Sequence, residues 1–294
     1  MKRCAFLSTD DLTGHVTDDD LAIGPFSERG WLVEFVSWRQ KETDWIRFEA
    51  VIIRSAWDYQ HDPQSFLTVL EEIEQSGTVL ANPLSLIRSN VSKTYLRELS
   101  LAGIAVVPTI WGRGLLASEL YEHFQEFRAD EIVVKPVIGA SAGDTYRLSR
   151  RSIGEQQPEL ETLFHNREFM SQPFMKAIIE EGEFSLFYFN NTFSHAVQKS
   201  PKPGDFRVQE EHGGEIVSVR PPAACLAIGD RILRLLDPGP LYARIDLVRD
   251  FEGGFLLMEL ELIEPALYFR TDAQSAARFA RAFEAWIERQ RTRW

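Results

Sequence analysis

The sequence predicts an α/β protein, and three features carry that expectation. Short β-branched or aromatic runs, Trp31 to Val36 and Val51-Ile52-Ile53, alternate with helically spaced segments over residues 1–91. A further apolar run, Ile132-Val133-Val134, ends in Lys135-Pro136 and a loop of small residues. From Glu168 to Leu262 strand-like segments dominate, and a long amphipathic helix follows them.

At 294 residues, 44% hydrophobic and 26% charged, the chain has the length of about two domains and can bury a sizeable core. Its net charge of −12 repels a phosphate backbone and no dense Lys/Arg run offsets it, so nucleic acid is not an expected partner. Cys4 and Cys225 have no second thiol or histidine at metal-ligand spacing and read as buried free thiols. The apolar start runs into Thr9, Asp10 and Asp11, too short for a signal peptide. No segment approaches the ~20 apolar residues of a membrane span, so a cytoplasmic location is expected.

Taken in order, the first elements are of the βαβ type, with Phe66, Leu67, Leu70 and Ile73 at helical spacing behind Val51-Ile52-Ile53. Asn82-Pro83 breaks this pattern, because the residue before proline is pushed out of the helical region, and a helix holding Leu96 and Leu99 follows. The apolar run at Ile132 is followed by the loop Gly139-Ala140-Ser141-Ala142-Gly143. Phe184 to Phe189 and Phe193 to Val197 flank Asn190-Asn191-Thr192, which predicts a hairpin. The last helix, over about 272 to 291, aligns Ala276, Phe279, Ala280, Phe283 and Ile287 as a cap on the core. A Walker A loop, a GxGxxG fingerprint and an HExxH helix are absent from the sequence.

The most informative chemistry lies in Tyr242 to Val248 and Phe255 to Pro265. Alternation places Arg244 and Asp246 on one face of the first strand, and Glu259 and Glu261 on one face of the second. Across the Phe251 to Gly254 turn these strands pair antiparallel, which brings three carboxylates together. Such a cluster either holds a hard divalent cation such as magnesium or forms the solvated face of a half-buried hairpin.

From Asn90 to Tyr268 the segments resemble the ATP-grasp superfamily, in its glutathione-synthetase-like branch. The resemblance implies ATP held at its phosphates by Lys93 and Lys135, with Gly139, Ala140 and Ser141 of the small-residue loop above them. It implies a hinge over Gln172, Pro173 and Phe174 that reads adenine through the backbone, and Glu183 at the ribose. The stretch with Lys199 and Arg207 is similar to the substrate-side loop, Arg207 facing the transferred phosphate. Asp246, Glu259 and Glu261 become the ligands of Mg2+, with Mn2+ as an alternative; many relatives carry asparagine where this chain has Glu261, which leaves the number of ions open. The implied division is a substrate-binding domain over residues 1–91, a lid lobe over 92–172 with Lys135 and the loop, and a C-terminal lobe over 173–294 with the magnesium site.

The implied activity is that of an ATP-dependent C–N ligase. It activates a carboxylate or similar acid of an amino-acid-like substrate as a phosphate for attack by an amine. Arg244 either forks the substrate carboxylate or makes a structural salt bridge. Arg54-Ser55-Ala56-Trp57-Asp58-Tyr59 follows a strand of the first domain, where open α/β sheets bind ligands. That cluster and Glu259-Leu260-Glu261-Leu262-Ile263-Glu264-Pro265 resemble the D-cycloserine ligase subgroup, which closes a ring on O-ureido-D-serine. The bland alternatives are interdomain packing for Trp57 and Tyr59 and a cap for Asp58. His195 and His212 read as structural. A non-catalytic ATP-binding regulatory module and a small-molecule kinase stay open as other classes, and a homodimer is frequent in the family.

Overall fold

The computed structural model of the protein describes residues 1–291. β1 (Lys2–Ser8), β2 (Trp31–Ser37), β3 (Ala50–Ser55) and β4 (Val79–Ala81) form a parallel sheet in the order β2-β1-β3-β4. Parallel strands need cover on both faces, and β3 is accordingly buried at every residue. Helices α1 (Ile23–Ser27), α2 (Pro63–Gln75) and α3 (Leu84–Asn90) lie between and after these strands. Asp62 caps α2 by accepting from the Ser65 N–H, with Pro63 in its first turn. Phe66, Leu70 and Ile73 of α2 pack with Val51 and Ile53 on one face of the sheet.

Helix α4 (Tyr95–Leu101) leads to a second sheet. β5 (Ile110–Arg113), α5 (Leu120–Glu126), β6 (Glu131–Pro136), β7 (Tyr146–Ser149), α6 (Ile153–Phe164) and β8 (Glu168–Pro173) give an antiparallel sheet in the order β5-β8-β6-β7. Phe124 of α5 and Phe164 of α6 cover its apolar face, together with Leu120 and Leu160.

The third unit contains α7 (Ala177–Glu180), β9 (Glu183–Phe189), β10 (Thr192–Ser200), β11 (Glu215–Ser218), α8 (Ala223–Leu235), β12 (Tyr242–Arg249) and β13 (Phe255–Glu261). Its five strands run β11-β10-β9-β12-β13, antiparallel throughout. Asn190 and Asn191 both adopt positive φ, 51° and 62°, between Phe189 and its partner Thr192, so the expected hairpin forms with a turn that suits paired asparagines. One face of this sheet packs on α8 and on Tyr95, Leu96 and Leu99 of α4. α4 thus shares its core with the five-stranded sheet.

α9 (Ser275–Arg291) lies between two sheets. Phe279, Phe283, Trp286 and Ile287 pack against Phe6, Phe26, Trp31 and Ile52 on one side and Phe187, Phe189 and Tyr242 on the other. Asn82, fully buried after β4, joins the same two regions: its side chain accepts from the Leu241 N–H at 2.6 Å and donates to the carbonyls of Tyr242 (2.9 Å) and Leu262 (2.8 Å). Both cysteines are buried and free. Among the described residues no helix is long and apolar enough to cross a membrane.

Candidate active site

The β12–β13 hairpin pairs Arg244 with Glu261 and Asp246 with Glu259, with a register shift after Asp246. Ile245, Leu247, Leu257 and Leu260 point into the core below, so the polar side chains share the upper face. There the carboxylates of Asp246, Glu259 and Glu261 converge, each offering an oxygen within 4.8 Å of the others.

Cations surround the cluster. Arg244 donates to Asp246 at 3.0 Å and also to Glu261. Lys199, 3% exposed on β10, bridges Glu183 at 2.5 Å and Asp246 at 3.3 Å, while Ser185 donates to Asp246 at 2.6 Å. Burial opposes charge on Asp246, but Arg244 and Lys199 outweigh it and hold its pKa at about 2. Lys199 is held protonated by Asp246 and Glu183 against its own burial. Glu261 goes the other way: burial, with Glu259 and Asp246 near, pushes it up to about 7 despite Arg244.

Lys93 reaches the hairpin from the turn before α4. Its ammonium donates to Glu259 at 2.6 Å and to the Gly139 carbonyl at 2.9 Å, and its backbone N–H donates to the Val137 carbonyl. Lys135, near the end of β6, lines the same space with no ion pair or hydrogen bond among the described residues, and burial lowers its pKa. It is the cation left free to meet an anion.

The small-residue loop closes this end. Its positive φ values fall on Ser141 (50°), Ala142 (54°) and Asp144 (53°), not on its glycines. Gly139 and Gly143 supply room instead: a Cβ on Gly139 would lie 3.1 Å from Pro136, and one on Gly143 3.3 Å from the Ala140 carbonyl oxygen. Arg167 anchors Asp144 at 2.6 Å, and His212 meets the Ser141 carbonyl at 3.2 Å across the opening.

The residues that the family resemblance assigns to nucleotide, metal and substrate-side loop, and Arg244, all line this one cavity: Lys93, Lys135, Gly139, Ala140, Ser141, Gln172, Pro173, Phe174, Glu183, Lys199, Arg207, Arg244, Asp246, Glu259 and Glu261. The end beyond the hinge is apolar, with Val107, Met175, Ile178 and Val208 in one buried cluster and Met258 packed on it. Within the hinge, the Phe174 N–H donates to the Glu131 carbonyl at 2.9 Å, so it is not free to read a ligand. Glu183 is engaged by Lys199, and Arg207 by Asp205 through two N–H groups at 3.0 and 2.8 Å.

The first domain contributes differently from expectation. Arg54 is 1% exposed, paired with Asp19 at 2.9 Å and bonded to the Pro265 carbonyl, and does not line the cavity. Asp58 accepts from Trp38 and Arg39 and makes no side-chain cap bond. Trp57 and Tyr59 do line it, as do Asn90, Tyr95, Glu264 and Tyr268, which motif reading left unassigned. Asn90 and Tyr95 brace β13: Asn90 bonds the backbone of Leu260 and Leu262, and the Tyr95 hydroxyl accepts from the Leu260 N–H. The available signal for Glu264 was its place beyond Glu259 and Glu261 in one acidic run.

His195 is structural as expected, stacked on Phe187 at 4.4 Å with Nε2 donating to the Leu267 carbonyl. Burial lowers its pKa to about 4 from 6.5, so the unfolded chain binds a proton between those values and the folded one does not. Stability is therefore complete above pH 6.5 and falls as pH drops toward 4, by roughly 3 kcal/mol. His195→Gln is expected to flatten denaturant-midpoint profiles over that window; an unchanged slope would refute the assignment.

Residues 4–82 match the family model described as the N-terminal domain of the D-cycloserine synthetase DcsG. The cycloserine biosynthesis protein DcsG of Streptomyces lavendulae is 31% identical over 268 residues, 86% of this chain and 88% of that one. The crystal structure of D-cycloserine synthetase DcsG superposes with a TM-score of 0.85 at 25% identity, covering 97% of this chain and 99% of that one. A D-alanine–D-alanine ligase from Bacillus anthracis shares the fold at TM-score 0.69 and 14% identity, covering 100% and 99%. By its likeness in sequence over most of both chains, this chain belongs to the DcsG family, and it shares the fold of ATP-grasp ligases.

Proposed function

We propose that the protein uses ATP and Mg2+ to phosphorylate the acid group of a small amino-acid-like substrate, which an amine then attacks to form a C–N bond, releasing ADP and phosphate. The observation that carries this reading is the convergence of Asp246, Glu259 and Glu261 in the cavity that also holds the unpaired Lys135. An all-oxygen donor set suits magnesium, and manganese fits it too. When bound there, magnesium neutralises phosphate oxygens.

This chain's own residues do the rest. Lys135 binds phosphate without first leaving a carboxylate. Lys93, tied to Gly139, couples the loop to the hairpin, so a nucleotide beneath the loop meets both. Arg244 and Arg207, each fixed by a carboxylate, orient oxygens of the acid and of the transferred phosphoryl group in a site that excludes water. Glu183 serves the ribose only by sharing its carboxylate with Lys199. The family supports ring closure of the D-cycloserine type, where the acid and the attacking nitrogen lie in one molecule such as O-ureido-D-serine, the nitrogen being the oxygen-bound one of the ureido group, whose carbamoyl part leaves to free the ring. Dependence on ATP suits a cytoplasmic location.

Thermal-shift titration with a non-hydrolysable ATP analogue is expected to raise the melting temperature of the wild type only with magnesium, and Lys135→Ala is expected to abolish the shift. No shift at saturating nucleotide would overturn the reading.

A further inference from the structure

We propose that Glu264, beside Trp57 and Tyr59, receives the ammonium group of the substrate. This rests on the reading above and names the part of the substrate that the cavity selects. Glu264 is 9% exposed, yet its carboxylate makes no hydrogen bond or ion pair among the described residues. Asp246, Glu259, Glu261 and Glu183 in the same cavity differ, each holding a cation. Burial, with Glu261 near, pushes the Glu264 carboxyl well above the usual carboxylate range, and Lys93 and Arg244 oppose this only at a distance, since each is bonded to another carboxylate. Burying a carboxylate without a partner costs stability, so a missing cationic partner is implied.

The backbone that carries Glu264 is held with unusual completeness. Three successive carbonyls are bonded: Ile263 by the Tyr242 hydroxyl at 2.8 Å, Glu264 by the Trp57 indole N–H at 2.9 Å, and Pro265 by Arg54 at 3.0 Å. Arg54 and Trp57 come from the first domain, so the strap is fixed where that domain meets the hairpin. Such anchoring sets a receptor in place before the ligand arrives.

Ligand chemistry follows from the neighbours. The hydroxyl of Tyr59, which is 5% exposed and close enough to Glu264 to feel its charge, likewise makes no hydrogen bond among the described residues. A primary ammonium offers three donors, which the two oxygens of one carboxylate and the Tyr59 hydroxyl accept. Trp57 adds an aromatic wall of the kind that attracts cations. A neutral or anionic group would leave the carboxylate unpaired, so the subsite selects an amino acid with a free amine over its des-amino or acylated counterpart.

The test is calorimetric titration of the full chain loaded with magnesium-ADP, using D-cycloserine and isoxazolidin-3-one, the same ring without its amine. The wild type is expected to bind D-cycloserine at least tenfold more tightly than isoxazolidin-3-one. Glu264→Gln, nearly isosteric, is expected to lose about tenfold or more for D-cycloserine and nothing for isoxazolidin-3-one. Equal affinity of wild type and variant for D-cycloserine, an equal loss for both rings, or no preference of the wild type for the amine overturns the proposal. A wild type that binds magnesium-ADP but not D-cycloserine overturns the amine subsite and leaves the nucleotide reading standing. A wild type that does not bind magnesium-ADP overturns that reading and this proposal with it. The two-ligand comparison on the wild type stands even where the variant fails to fold.

Discussion

Glu259→Gln is expected to lower ATP-dependent turnover by about 10²-fold or more while leaving the unfolding midpoint within a few degrees of the wild type. Glu259 pairs opposite Asp246 and completes the carboxylate cluster, so removing its charge weakens the hold on a divalent ion. The amide oxygen still accepts from Lys93, which keeps its second bond to the Gly139 carbonyl, so the packing survives. Initial rates at rising magnesium are the measurement. The variant should need a higher concentration and still not recover, and turnover within twofold of the wild type would remove the metal assignment.

Asn82→Ala is expected to cost the most stability of any single polar substitution outside the site, about 3–5 kcal/mol. The side chain is fully buried and bonds four backbone groups, the Tyr242 N–H at 3.4 Å and three more closely: the Leu241 N–H and the carbonyls of Tyr242 and Leu262. Alanine removes all three of the closer bonds at once from groups buried in the core. Denaturant titration should show a lower midpoint, and a loss under 1 kcal/mol would mean that the three groups find other partners. Magnesium-ATP affinity at low temperature should change little, which separates this residue from those lining the cavity.

The two predictions also mark what the sequence made legible. Glu259 was readable because strand alternation fixes faces and the short Phe251 to Gly254 turn fixes pairing, so Asp246, Glu259 and Glu261 follow from local rules alone. The Asn190-Asn191 hairpin was readable for the same reason. Asn82 was read only as the residue before a proline, because its partners lie about 160–180 positions away and leave no periodic mark. The Lys93–Glu259 pair, 166 positions apart, is equally silent in the sequence except through family resemblance. Arg54 misled because a charged residue at the end of a strand looks like a ligand contact, whereas its partner Asp19 is buried beside it. In the small-residue loop the composition was informative but its cause was not, since Ser141 and Ala142 carry the left-handed backbone and the glycines only make room.

The position of α9 bears on how the chain is made. The first sheet leaves the ribosome well before α9, but Phe6, Phe26 and Trp31 are covered by Phe279, Phe283 and Trp286 of that helix. During translation one face of that sheet therefore stays bare while the rest of the chain emerges, the condition under which nascent proteins stick to one another or recruit chaperones. Slowing synthesis would prolong that exposure, so yield in the cell depends on translation speed as well as on the stability of the finished molecule.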